Sequence, residues 1–112
     1  MKIGFQTRKL ERICSEKARG IKELGPNCAR KLRTRLFDIK AATCLEDLRN
    51  VPGRLHALSA DRTGQFAMDL EHPKRLVLEP VDECDEAQKG KSLDWRQITA
   101  VTVVEIKDYH GK

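Results

Sequence analysis

Aromatic side chains are scarce in this chain of 112 residues, which has one Trp, one Tyr and three Phe. Modules that hold single-stranded nucleic acid by binding alone stack successive bases on aromatic rings. With Phe5 and Phe66 read as core, little is left to build such a platform. No apolar run approaches the ~20 residues of a membrane-crossing helix, and the first nine residues lack a stretch of signal-peptide length, so a cytoplasmic chain without membrane contact is expected. The four cysteines, Cys14, Cys28, Cys44 and Cys84, are too widely spaced for a CxxC zinc or redox pair, and no two histidines stand at ligand spacing. The expectation is reduced thiols, no metal and no cofactor. Cys14 and Cys28 fall on apolar helix faces, where a thiol acts as a small hydrophobe.

Charge, by contrast, is plentiful and uneven. The net charge is +5, yet residues 1–40 hold twelve Lys or Arg against four Asp or Glu. The remainder of the chain is therefore net acidic. A basic segment of this kind suits a polyanionic or acidic partner, and Arg30, Lys31, Arg33 and Arg35 are the candidate partner surface. The alternative is an ordinary solvated helix exterior.

At this length the chain is expected to form one domain over residues 1–112, burying ~60% of its unfolded surface. Residues 2–6 alternate, with Ile3 and Phe5 on one face, and predict an opening strand. Thr7 caps a helix whose apolar stripe is Leu10, Ile13, Cys14, Ala18, Ile21 and Leu24, ended by Gly25-Pro26. Pro26 opens a second helix with Ala29, Leu32, Leu36 and Ile39 inward. Thr43 to Glu46 matches a capping box and predicts a short helical turn before Pro52-Gly53. A meander of strands over 54–59, 65–70 and 75–79 follows, with Phe66, Met68 and Leu70 toward the core. Residues 81–97 are polar and read as a long inserted loop, anchored at its far end by Trp95 and Ile98. Residues 100–106 are apolar on both faces, as in a central strand. The order β-α-α-β-β-β-β is an α+β arrangement, a helical hairpin packed on a small, mostly antiparallel sheet.

Directly behind that last strand stand Asp108, Tyr109 and His110. An acid, a phenol and an imidazole on a strand tip are rigidly mounted and suit acid/base work; a solvated tail is the plainer alternative. Together with Arg54-Leu55-His56-Ala57-Leu58 running on to Gln65, and with His72-Pro73-Lys74-Arg75-Leu76-Val77, these residues make three blocks. Their combination and order resemble the HigB-type killer branch of the RelE/ParE toxin superfamily, the small toxins of type II toxin-antitoxin pairs. The resemblance implies a RelE/ParE-like fold and an endoribonuclease that cuts messenger RNA on the ribosome. It also implies a helix-turn-helix (HigA-like) antitoxin, with operator DNA reached only through the toxin-antitoxin complex. It carries catalytic roles onto His56, Asp108, Tyr109 and His110, and a strand arginine onto Arg75. Short members join their last two strands by a tight turn, where this chain inserts residues 81–97.

RNA cleavage without a metal needs a base for the 2′-hydroxyl proton, an acid for the leaving 5′-oxygen, and cations facing the phosphorane. His56 and His110 are the candidates for acid and base, with the order open, and Asp108 is a second possible base. Tyr109 is placed to stack on a base or donate to phosphate. Arg75, with Arg62 and Arg54, would hold phosphate through forked donors. Arg75 has a plainer alternative in an ion pair with Glu79. Two other classes compete: a ParE-like inhibitor of DNA gyrase, which has no need of the histidines, and a non-catalytic basic module binding RNA or protein.

Overall fold

In a computed structural model, which describes residues 1–81 and 94–108, the chain starts with strand β1 (Lys2–Phe5) and passes into helix α1 (Arg8–Ser15). The Thr7 hydroxyl accepts from the Leu10 amide at 3.1 Å, the cap its side chain predicts. One continuous helix to Leu24 does not form. Glu16 is extended, at φ −105° and ψ 113°, and a separate helix α2 (Lys17–Leu24) follows. The reason lies in how closely the two helices meet. Gly20 is buried, and a Cβ there would stand 2.9 Å from the Ile13 carbonyl oxygen, an approach that only glycine permits. The break sends Ile13 into the core but leaves Ala18 and Ile21 exposed. Spacing of three and four residues does not register a single extended residue, so the stripe looked unbroken.

Helix α3 (Pro26–Ala41) begins at Pro26 as expected, after Gly25 turns the chain at φ 84°. It buries Cys28, Ala29, Leu32, Leu36 and Ile39. The Met1 ammonium donates to the carbonyls of Ile39 (3.3 Å) and Lys40 (3.2 Å), a positive charge at the negative end of the helix. The next turn is a 3₁₀ segment, Leu45–Asn50, whose capping box sits one residue later than expected. Asp47 Oδ2 accepts from the amides of Thr43 (2.9 Å) and Cys44 (3.4 Å), while Glu46 pairs instead with Arg49 at 2.9 Å. Leu45 and Leu48 are thereby fully buried.

The remaining strands are β2 (His56–Ala57), β3 (Phe66–Asp69), β4 (Lys74–Pro80) and β5 (Ala100–Asp108). They form one sheet in the order β1-β5-β4-β3-β2, with β1 parallel to β5 and every other pair antiparallel. Strand β2 is much shorter than the expected 54–59. Arg54 at φ 50° and Ala60 at φ 58° turn the backbone at either side of it, and residues Ala60–Arg62 coil into a 3₁₀ turn. Strand β5, flanked on both sides, is central as its two-sided apolarity implies.

Phe66, Met68, Leu70, Leu76, Leu78, Val101 and Val103 point to the helices and make the core with Leu32, Leu36 and Ile39. Most of the loop expected over 81–97 lies outside the described residues; just ahead of β5 Ile98 is buried, and Trp95 packs edge-on against Phe66 at 4.8 Å, beneath the Arg49 guanidinium. A register shift between Val77 and Leu78 opposes them to Glu105 and Val103, so Val104 is bulged out of the pairing. The bulge reverses the alternation of β5 and turns Glu105 and Lys107 to the side away from the helices.

Candidate functional site

Strand alternation and pairing decide what that open side carries. His56 pairs with Ala67, Ala67 with Val77 and Val77 with Glu105, making one row; Asp69, Arg75 and Lys107 make the next. A histidine, two carboxylates and two cations are thus mounted on adjacent strands. Arg54 and Arg62 reach the same side from the turns that flank β2.

Asp69 is the hub of this group. Its carboxylate takes a forked pair from Arg54, with Nε 2.6 Å from Oδ2 and Nη2 3.3 Å from Oδ1, and Arg75 Nε stands 3.3 Å from Oδ1. The backbone at Asp69 is fixed as well. Its amide donates to the Gly53 carbonyl at 2.6 Å, and its own carbonyl accepts from Arg35 Nε at 2.8 Å. Arg35 therefore does not belong to the partner surface with Arg30, Lys31 and Arg33. Its position on α3 borders the buried stripe, and its partly buried side chain runs inward beneath Gly53. The other three are exposed.

The His56 ring is held in one orientation. Nδ1 lies 2.6 Å from the Arg54 carbonyl oxygen. A carbonyl only accepts, so Nδ1 carries the proton of the neutral ring and Nε2 bears the lone pair. That lone pair faces Arg75 Nη1 at 3.5 Å. The arrangement runs from Asp69 through the Arg75 guanidinium to the basic nitrogen of His56. It sets a proton acceptor beside a fixed cation. Arg62 is engaged by Glu105 through Nη2 and by Gln65 at 3.0 Å through Nη1. Lys107 Nζ is 4.0 Å from Glu105 Oε2.

The structure brings His56, Arg54, Arg62 and Arg75 to one side of the sheet. Asp108, at the exposed tip of β5, pairs with Lys74 and by alternation follows Ile106 rather than Lys107. Tyr109 and His110 lie outside the described residues, as does Cys84. Arg75 meets Asp69 across the hairpin, not Glu79 on its own strand. Asp69, Glu105 and Lys107 were missed from sequence. The signal for Asp69 was present: with Phe66, Met68 and Leu70 inward, alternation puts Asp69 outward, opposite Arg75 across the His72-Pro73 turn. Glu105 and Lys107 were masked by the bulge.

Arg54, Asp69, Leu70, His72, Pro73, Lys74 and Arg75 line a small open cleft of ≈ 80 Å³. Sites that enclose a small molecule begin at about 300 Å³, so this cleft suits one phosphate-sized group on a larger substrate. Among the described residues no three His, Cys, Asp or Glu converge as a metal cluster, and no helix is long and apolar enough to cross a membrane. The thiols of Cys14, Cys28 and Cys44 are free. Burial pushes the Cys14 thiol up to about 11, which keeps it protonated at neutral pH.

Helices packed on one face of a five-stranded sheet of this order constitute an α+β fold of the RelE/ParE-like kind. A solved structure described as the YoeB/ParE toxin from Agrobacterium tumefaciens matches it at a TM-score of 0.61, over 98% of this chain and 100% of that one, with 10% sequence identity. Likeness at that identity speaks for the fold alone. No protein-family model and no curated protein matches the sequence.

Proposed function

We propose that this chain is the toxin of a type II toxin-antitoxin pair, of the HigB type, and cleaves messenger RNA on the ribosome by metal-independent acid/base chemistry. One observation carries the reading: the oriented Nε2 lone pair of His56 beside the Arg75 guanidinium, on the open side of a toxin-like fold. In this scheme Nε2 removes the proton from a ribose 2′-hydroxyl. The 2′-oxygen attacks the adjacent phosphorus, and the bond from phosphorus to the 5′-oxygen breaks. The products are a 2′,3′-cyclic phosphate and a 5′-hydroxyl, the latter formed when the leaving oxygen takes a proton. Arg75 and Lys107 face the charge that the phosphorane gains.

The proton donor is assigned to His110 at the end of the chain, which Asp108 would orient, with Tyr109 stacking on a base or donating to the phosphate. Arg54 and Arg62 bind flanking phosphates by exchanging their carboxylate partners, Asp69 and Glu105. The shallow cleft supports dependence on the ribosome, since a site that encloses little of its substrate gains most from a platform that aligns it. A helix-turn-helix antitoxin of the HigA kind is the proposed protein partner, operator DNA is met only in that complex, and the cytoplasm is the proposed compartment.

Purified protein added to ribosomes carrying a defined message should cut the message within the coding region and leave the same RNA intact when it is free. The ParE name in the neighbouring structure's description favours a second reading, inhibition of DNA gyrase. Binding alone has no use for a histidine whose lone pair is aimed at a guanidinium, which argues against it. Loss of gyrase supercoiling with ribosome-bound RNA untouched would establish that second reading instead.

A further inference from the structure

On the opposite side of the molecule, α3 displays the most exposed large apolar side chain among the described residues, Phe37, at 72% exposure. At about 100° per residue, Arg30, Arg33 and Lys40 lie within about 60° of Phe37 around the helix axis. Lys31 lies about 120° away. All four cations are exposed, and among the described residues none of them forms an ion pair. Elsewhere on the surface several arginines are matched, Arg12 with Glu16, Arg49 with Glu46 and Arg54 with Asp69, while Arg8 and Arg19 stand apart from Phe37 and likewise form no ion pair among the described residues. An exposed aromatic ring with unpaired cations before and after it along one helix face has the anatomy of a protein interface, an apolar anchor beside a polar rim.

We propose that this face of α3 docks an acidic segment of a protein partner, whose apolar side chains close over Phe37 while Asp or Glu side chains meet Arg30, Arg33 and Lys40. Three considerations choose this occupant. Single-stranded RNA is held by a series of stacked bases, and here one ring stands alone. A second copy of the same face would set cation against cation. A neutral apolar partner would leave three charges desolvated without a counter-charge. Because α3 covers the core face of the sheet and His56 lies on the other, a segment seated at Phe37 leaves the His56 site uncovered. The docking surface is thus independent of the activity assigned to that site.

The test uses the whole chain and three probes followed by titration calorimetry. Two are synthetic helical peptides sharing one leucine stripe, flanked by Glu in one and by Lys in the other. The third is an oligouridylate. The Glu peptide should bind, more weakly as salt rises, and the Lys peptide should not. Phe37→Ser should weaken the Glu peptide roughly tenfold or more, the loss expected when a phenyl ring no longer finds cover. The pair Arg30→Glu and Arg33→Glu should abolish binding, and Lys31→Glu should change it by less than about twofold. Phe37 is mostly solvated, so the Ser variant should keep its circular dichroism; were it to misfold, the paired charge reversal decides alone. No binding of the Glu peptide, equal binding of both peptides, equal sensitivity to Lys31, or Phe37-dependent binding of the oligouridylate instead would each overturn the proposal.

Discussion

Replacing Gly53 by Ala strikes at the support beneath Asp69. Gly53 has φ +119°, and a Cβ there would meet Arg35 Nε at 2.7 Å, Arg35 Cδ at 3.0 Å and Met68 Cε at 3.2 Å. Left-handed backbone of this kind costs a residue with a side chain about 1–3 kcal/mol. The methyl also expels the Arg35 guanidinium from its bond to the Asp69 carbonyl, worth a further ~0.5–1.5 kcal/mol. The sum, about 1.5–4.5 kcal/mol, should lower the melting temperature by roughly 6–30 °C in a domain of this size. Arg35→Ala alone loses only the hydrogen bond. In the Arg35→Ala background the contact with Arg35 is gone and only the 3.2 Å approach to the flexible end of Met68 remains, so Gly53→Ala should cost little beyond its backbone strain, and the double-mutant cycle should show a coupling of about 1 kcal/mol. Urea unfolding followed by circular dichroism measures all four corners. Strict additivity would show that Arg35 and Gly53 do not act as one support, and the account of Asp69's rigidity would fail.

Asp69→Asn leaves Arg54 and Arg75 without their shared counter-charge. Since those pairs are partly solvated it should cost only about 1 kcal/mol of stability while reducing cleavage at least about tenfold; unchanged cleavage would remove Asp69 from the site's support. The Cys14 thiol is raised in the folded chain from its ordinary value of 9.0 to about 11. The stability it contributes is full below pH 9 and is lost as pH rises toward 11, because the unfolded chain releases the proton first. Discounted for partial exposure this amounts to on the order of 1–2 kcal/mol, and Cys14→Ala should flatten the fall in stability between pH 9 and 11 by that amount; parallel curves for the two proteins would refute it. A chain ending at Lys107 should melt like the full chain yet lose cleavage, which tests the catalytic roles given to Asp108, Tyr109 and His110; loss of folding would mean that those residues are structural.

Most of the layer arrangement was legible in the sequence, because a buried stripe and an alternating strand are direct consequences of which side must leave water. Pro26 marked the start of α3, and Phe66, Met68 and Leu70 marked the inner side of β3. What stayed hidden depended on single residues whose effect is not periodic. Glu16 breaks a helix without disturbing the apolar spacing, Arg54 and Ala60 shorten β2 by turning to positive φ, and the bulge at Val104 changes which side Glu105 and Lys107 face. At the site, His56 and Arg75 were identified as chemistry-bearing residues, but their relation was not visible. It depends on Asp69, fifteen positions from Arg54, and on a backbone carbonyl that fixes the ring. Arg35 was misread because a cation bordering a buried stripe was counted as exterior, although a long side chain there can turn inward to a carbonyl.

The central claim is that His56 Nε2, beside Arg75, begins RNA cleavage. It is tested most directly by measuring single-turnover cleavage of ribosome-bound message by the wild-type chain and by His56→Ala, with the ends of the products identified chemically. The account predicts 2′,3′-cyclic phosphate ends from the wild-type chain and a rate about 10²–10⁴-fold lower for the variant, with its fold intact. Equal rates for the two proteins, or wild-type products bearing a 5′-phosphate, would contradict it.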